Sequence, residues 1–293
     1  MSPTGSTLPR RVLGRRMRTL REQSGLTADD ARAAIGVGRQ TLWRMETGQP
    51  VRLNPLYIER LCRIYGASEQ VTDLMLGLSA ETRDTGWWHT ADDTIPQQVS
   101  LFVGLEDGAR RLTSYQSTLI PGILQTERYR RALIWVGFPT MPGAEVERRV
   151  EWFTERAARL HRATSDLTVT AVLDEAALRR AIGGPAVMAD QLHHLADLGT
   201  RDDVSVRVVP FEARAYAGLR AGPFVILDFP RHPNPRLTEP PIVYVQGLTG
   251  DLYLEKPDDV ARYRQIYTAI ENSALDEPRT RALLHRIAGG YTP

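Results

Sequence analysis

Apolar residues at Leu13, Met17 and Leu20 recur at the spacing of a helix with one buried face, and Ser24-Gly25 ends the run. A first helix is therefore predicted over roughly 12–24. Thr27 can cap a second, in which Asp29 and Asp30 bring negative charge to the positive end of the macrodipole and Ala31, Ala34 and Ile35 form a narrow apolar stripe. Gly36-Val37-Gly38 makes a turn. In the helix that follows, Leu42 and Met45 point to a core, which rotates Arg39, Gln40 and Arg44 outward. Asn54-Pro55 opens a fourth helix through Tyr65, Gly66 interrupts it, and Ser68 can cap a fifth reaching about Leu78. The pattern predicts a mainly α, five-helix head over residues 10–82.

Beyond Asp84-Thr85-Gly86 the pattern changes. Val99, Phe102, Val103, Leu105, Ala109 and Leu112 keep helical spacing, and Leu112 to Ile120 then alternates as a half-buried strand would, ended by Pro121-Gly122. A helical region follows Thr126, and another spans Ala144 to Ala163. Leu167 to Leu173 and Val204 to Val208 alternate on either side of a helix at Val187–Leu198, which reads as a crossover between two strands. Pro223–Phe229, Ile242–Val245 and Leu252–Leu254 supply three more short strands, and one helical stretch runs from Val260 toward Ile287. Residues 83–293 are thus expected to form an α+β domain with a mixed sheet.

Two helices joined by a tight glycine turn, with a long-armed polar face on the second, are the pattern of a helix-turn-helix whose second helix enters a DNA major groove. Arg bonds bidentately to guanine O6 and N7, and Gln does the same to adenine N6 and N7. Arg39, Gln40, Thr41 and Arg44 are the base-reading candidates. Thr27 and Arg52, the latter in the loop after the third helix, are the candidates for the sugar-phosphate backbone, with plain solvation the alternative for Arg52. A helical hairpin with a solvated polar face is the competing reading of the whole stretch.

The stretch closes Leu42-Trp43-Arg44-Met45-Glu46-Thr47-Gly48. In this it resembles the Xre family of phage-repressor-like helix-turn-helix domains, which usually end in Leu-x-x-x-Glu-x-Gly. The resemblance implies a structural ion pair between an Arg late in the first helix and a Glu near the end of the third, here Arg21 and Glu46. Two departures stand out: Ala28 replaces a frequent Gln or Ser, and Gly38 replaces the usual Ser or Thr before the recognition helix, which weakens one phosphate contact and one cap.

Further on stand Gly104-Leu105-Glu106-Asp107-Gly108-Ala109, then Tyr115, the string Leu119-Ile120-Pro121-Gly122-Ile123-Leu124-Gln125-Thr126-Glu127-Arg128-Tyr129, Leu173-Asp174-Glu175-Ala176-Ala177-Leu178 and Gly222-Pro223-Phe224. With the head, these resemble a group of actinobacterial Xre regulators, called antitoxin-like, that carry a C-terminal domain of unknown function. The resemblance implies a small partner protein encoded by a neighbouring gene, in a complex that modulates DNA binding.

Composition changes this picture little. The chain has 293 residues, 42% hydrophobic and 25% charged, enough for two globular domains. The net charge of +2 hides an asymmetry: residues 1–80 hold twelve Arg against seven Asp and Glu, so the head carries +5 and the remainder −3. That surplus sits where phosphate contact is expected. Every basic residue except Lys256 is Arg, which suggests a GC-rich genome. Cys62, the single cysteine, has no disulfide partner within the chain and reads as buried filler. No apolar run approaches the roughly 20 residues of a membrane span, and Met1 to Pro9 lacks the apolar core of a signal peptide, so a cytoplasmic location is expected.

Chemistry is hard to find in the second half. His193 and His194 are adjacent and so point about 100° apart on a helix, without a third ligand at metal spacing. Asp174-Glu175 suits helix capping. No nucleophile elbow, P-loop or dinucleotide fingerprint is present. No catalytic residue, cofactor or metal is therefore expected. Gln125, Thr126, Tyr129, Arg220 and Tyr244 either line a ligand cleft or partner groove or serve as ordinary caps and edge residues. The expectation is a sequence-specific DNA-binding transcriptional regulator, acting as a homodimer on double-stranded DNA. The alternatives are an enzyme with an accessory helix-turn-helix and an antitoxin-like module that sequesters a protein.

Overall fold

The computed structural model describes residues 7–82, 97–161, 166–231, 235, 238–248 and 250–291. They group into two compact units. The first draws on Met1–Asp92, Val99–Gly108 and Pro230–Glu239, the second on Asp93–Gln98, Ala109–Phe229 and Pro240–Pro293. Two stretches beyond residue 82 thus belong with the head.

The first unit opens with five helices: α1 (Thr7–Ser24), α2 (Ala28–Ile35), α3 (Arg39–Glu46), α4 (Pro55–Ile64) and α5 (Glu69–Glu81). Local chemistry fixes their ends. The Thr27 hydroxyl accepts from the Asp30 amide at 3.1 Å while the Thr27 amide donates to the Asp30 carboxylate at 3.0 Å, a closed capping box. Asn54 accepts from the Leu56 amide and Ser68 from the Val71 amide, single-sided caps that open α4 and α5. Gly36 ends α2 in the left-handed region at φ +68°, a conformation glycine adopts without strain, and directs the Val37 amide back to Arg32 O at 3.0 Å. Leu13, Met17, Ile35, Leu42, Met45, Ile58, Leu61 and Met75 form one buried core, in which Cys62 is also enclosed.

Helix α1 crosses the end of α3 at close range, and Gly14 permits it. A Cβ on Gly14 would stand 2.3 Å from Met45 O and 2.9 Å from Gly48 N, both backbone atoms with no freedom to move aside. In an open helix, alanine is about 1 kcal/mol more favourable than glycine. Here the clash reverses the sign, so Gly14→Ala is expected to destabilise the first unit by about 2 kcal/mol, read as a lower urea midpoint with an unchanged slope.

The second unit is built on a six-stranded sheet in the order β3-β2-β1-β4-β5-β6. Its strands are β1 (Arg111–Gln116), β2 (Thr168–Asp174), β3 (Val204–Val209), β4 (Phe224–Asp228), β5 (Ile242–Val245) and β6 (Leu252–Leu254). β1, β2 and β3 run parallel, while β4 is antiparallel to β1 and β5 and β6 continue antiparallel, so the sheet is mixed. The parallel pairs are joined by helical crossovers: α7 (Glu127–Gly137) and α8 (Gly143–Ala158) lead from β1 to β2, and α9 (Ala176–Arg179) with α10 (Pro185–Leu198) leads from β2 to β3. A short α11 (Gly218–Ala221) precedes β4, and α12 (Pro257–Glu271) and α13 (Glu277–Gly289) close the chain. Tyr115, Val172, Phe224, Ile226 and Val243 pack on one face against Val260, Tyr267 and Ile270 of α12. The alternate residues Leu112, Val169, Ala171, Val206, Val208 and Leu227 are buried as well. With both faces covered, strands read as short apolar runs and the sheet is a middle layer.

Several sequence-based boundaries need correction. α1 starts at Thr7, five residues before the expected 12, and the helix expected from Val99 through Leu112 is α6 (Gln97–Gly108), after which Leu112 lies in β1. β1 ends at Gln116 rather than Ile120, because the Ile120 amide turns to the Tyr129 hydroxyl at 3.4 Å instead of a neighbouring strand. The Ala144–Ala163 helix ends at Ala158 and tightens into a 3-10 turn at Arg159–His161; residues 162 and 163 lie outside the described residues. The stretch from Val260 to Ile287 is two helices. Asp276 caps the second by accepting from the Arg279 amide at 2.8 Å, and the Leu275 amide between them donates to Val208 O on β3 at 2.8 Å.

Candidate nucleic-acid interface

The face that α3 turns away from the core is set by its buried residues. Leu42 and Met45 are 1% and 2% exposed, which leaves Arg39, Gln40, Trp43 and Arg44 in solvent and Thr41 half-buried. Gln40 and Arg44 engage no other side chain among the described residues, so their donors and acceptors are open. Trp43, 54% exposed, joins this face beside the expected Arg39, Gln40, Thr41 and Arg44. Its signal in the sequence is a tryptophan on a short polar helix, and an apolar side chain there can meet a thymine methyl. Gly38 precedes α3 and supplies no side-chain cap, as its lack of a hydroxyl dictates.

Arg39 is held. Its NH2 donates to both oxygens of Asp29 on α2, at 3.0 and 3.2 Å, and Asp29 Oδ1 also accepts from Arg32 Nε at 2.6 Å. Arg32 and Arg39 together hold the Asp29 carboxyl below its ordinary range. Thr27 is less open than expected. Its hydroxyl donates to Asp30 at 2.6 Å, which keeps the Asp30 carboxyl below its usual range and places that charge where a phosphate contact was expected. Arg52 is exposed in the loop between α3 and α4 and pairs with no described residue.

Behind this surface Arg21 and Glu46 tie α1 to the last residue of α3. Arg21 Nε donates to Glu46 Oε1 at 2.7 Å and its NH2 to Oε2 at 2.9 Å, a two-pronged contact with side chains 12% and 8% exposed. The bond to Glu46 raises the Arg21 guanidinium above its ordinary value. A second carboxylate fixes α1 from far along the chain. Glu239 accepts from Arg11 Nε at 3.2 Å and from Arg15 NH1 and NH2 at 2.8 and 3.0 Å, with its own side chain 1% exposed.

In the second unit the candidate ligand residues are largely occupied in holding the fold. Gln125 Nε2 donates to Ile120 O at 2.5 Å, and its buried Oε1 has no partner among the described residues. Thr126 caps α7 by accepting from the Tyr129 amide at 3.3 Å, and its own amide donates to Gln191 Oε1 at 2.7 Å. Tyr129 is fully buried. These three converge on one turn. Tyr244 donates to Asp251 at 3.1 Å and Arg220 is exposed on α11; neither shares a hydrogen bond with the other three. Asp174 accepts from the Ala176 amide at 2.8 Å and from the Tyr216 hydroxyl, which is also 2.8 Å from that of Tyr115. Glu175 accepts from Arg179 and, at 2.8 Å, from the Phe211 amide. Among the described residues no helix is long and apolar enough to cross a membrane, and no group of three or more His, Cys, Asp or Glu is placed to hold a metal ion.

Residues 12–75 match a family described as "Helix-turn-helix domain", in agreement with the arrangement of α1 to α5. Residues 99–286 match one described as "Domain of unknown function (DUF5753)". No curated protein and no solved structure matches the chain. Because that second match spans well over half of the 293 residues, the chain belongs to the DUF5753 family and carries a helix-turn-helix domain at its N-terminal end.

Proposed function

We propose that this protein is a sequence-specific DNA-binding transcriptional regulator of the Xre type. One observation carries the reading: the helix after the tight Gly36 turn buries Leu42 and Met45 and offers Arg39, Gln40 and Arg44 to solvent, which are side chains that read guanine and adenine edges. A single eight-residue helix contacts too few base pairs to find one site in a genome. The protein therefore acts as a homodimer on two half-sites about 34–36 Å apart, or a multiple of that spacing. Its second unit assists dimerisation and senses a small partner protein or ligand, with no catalytic step of its own. The arginine bias and the antitoxin-like resemblance favour an actinobacterial source and a partner encoded nearby, and a reader of chromosomal DNA works in the cytoplasm.

The test is fluorescence anisotropy with duplex DNA from upstream of the protein's own gene, at two salt concentrations. Selective, salt-sensitive binding is expected. Arg39→Ala, Gln40→Ala and Arg44→Ala should each weaken cognate binding by about 1–3 kcal/mol, and Arg52→Ala should weaken all sequences alike. Binding indifferent to sequence and to these substitutions would overturn the reading.

A further inference from the structure

Specificity in this reader is shared with a residue outside its recognition helix. We infer that Asp29 of α2 is a specificity-determining residue, which orients Arg39 toward a guanine edge and turns away bases that present only acceptors on its own side. The inference rests on the DNA-reading function proposed above.

The geometry is that of a buttress. Arg39 is the first residue of α3, the end of a recognition helix that meets base edges. Its NH2 reaches across to both Asp29 oxygens at 3.0 and 3.2 Å, while its Nε and NH1 engage no described residue. Arg32, one turn further along α2, holds Asp29 Oδ1 at 2.6 Å and so fixes the carboxylate from its own helix. An exposed arginine without such a brace samples many rotamers and settles equally well on phosphates. A braced one holds its guanidinium plane in one orientation, and NH1 together with a second NH2 hydrogen forms the edge that bidentate recognition of guanine O6 and N7 requires.

Stability does not account for the pair. Arg39 is 77% and Asp29 52% exposed at their side chains, a range in which ion pairs contribute little. A carboxylate on a surface that must approach a polyanion lowers affinity for every sequence. It becomes useful through discrimination, since it accepts from the amino groups of cytosine or adenine and repels guanine O6 and N7 and thymine O4. The two flanking guanidiniums keep it ionised at neutral pH.

The experiment is a selection from a randomised duplex DNA library with the full chain, followed by competition binding at each position of the enriched motif. Arg39→Ala should abolish a guanine preference at one base pair. Asp29→Asn and Asp29→Ala should each reduce the guanine-over-adenine ratio at that same base pair about tenfold, while binding to unrelated DNA stays level or tightens and the thermal midpoint falls only by the few degrees that a lost helix-dipole contact costs. Arg32→Ala frees the carboxylate without removing it and should lower the ratio by less than the Asp29 variants do. If the Asp29 variants keep the wild-type ratio, or lose affinity equally for all sequences, the inference falls and the DNA-reading function stands. If the wild-type protein enriches no motif, both fall.

Discussion

Glu239→Ala is expected to lower the unfolding free energy of the first unit by about 4 kcal/mol, the largest effect of any single substitution considered. The Glu239 side chain is 1% exposed and Arg11 beside it 9%, so both charges have left water and, among the described residues, the carboxylate is held by guanidinium donors alone. Arg15, 35% exposed, adds two donors at 2.8 and 3.0 Å. Alanine removes this acceptor while the Arg11 guanidinium stays out of water, and truncating one side of a buried pair costs much more than the pair's net contribution. Glu239→Gln retains a carbonyl oxygen in the same place and should show roughly half the loss. The measurement is urea unfolding followed by a probe in the first unit. Superimposable curves for wild type and Glu239→Ala would mean that the contact is dispensable.

The second large effect is expected at Glu46. Without its carboxylate, Arg21 retains, among the described residues, only the Leu26 carbonyl at 3.2 Å, and its bond to the last residue of α3 is lost. Glu46→Ala should destabilise the first unit by about 3 kcal/mol and weaken DNA binding with it, although Glu46 is buried behind the exposed face of α3. A paired replacement separates charge from packing. Arg21→Met with Glu46→Leu removes both ions and fills the space with apolar side chains, and should return to within about 1 kcal/mol of wild type. A double variant as unstable as Glu46→Ala would show that the ion pair itself is required.

Much of the head can be read from the chain because its signals are local. Thr27, Gly36, Asn54 and Ser68 each act within three or four residues of where they stand, and the structure uses all four at helix ends. The alternation of Val169, Ala171 and Leu173 against Val204, Val206 and Val208 likewise marks the parallel neighbours β2 and β3. What stayed hidden depends on distance along the chain. Glu239 lies among prolines in a polar stretch, and its partner Arg11 is 228 residues away, so no periodicity points to it. Asp29 looked like a residue that only complements a helix dipole, because its bond to Arg39 exists only once α2 and α3 have folded against each other. The break between α12 and α13 escaped notice for a similar reason: Leu275 continues the apolar pattern, but its amide belongs to the edge strand β3. Trp43 stands in the sequence as an aromatic one turn on from Arg39 and Gln40 on α3, a local signal of an exposed apolar contact.

The loop between β4 and β5 has a consequence for inheritance. Pro230–Glu239 is flanked in the chain by strands of the second unit and belongs to the first, so a recombination event between α5 and α6 would separate the reader from a carboxylate that it buries. A gene that acquired this head by one crossover would encode Arg11 and Arg15 without Glu239. Exchange of readers among relatives then needs two crossovers, or a recipient that already carries an acidic residue at the same place.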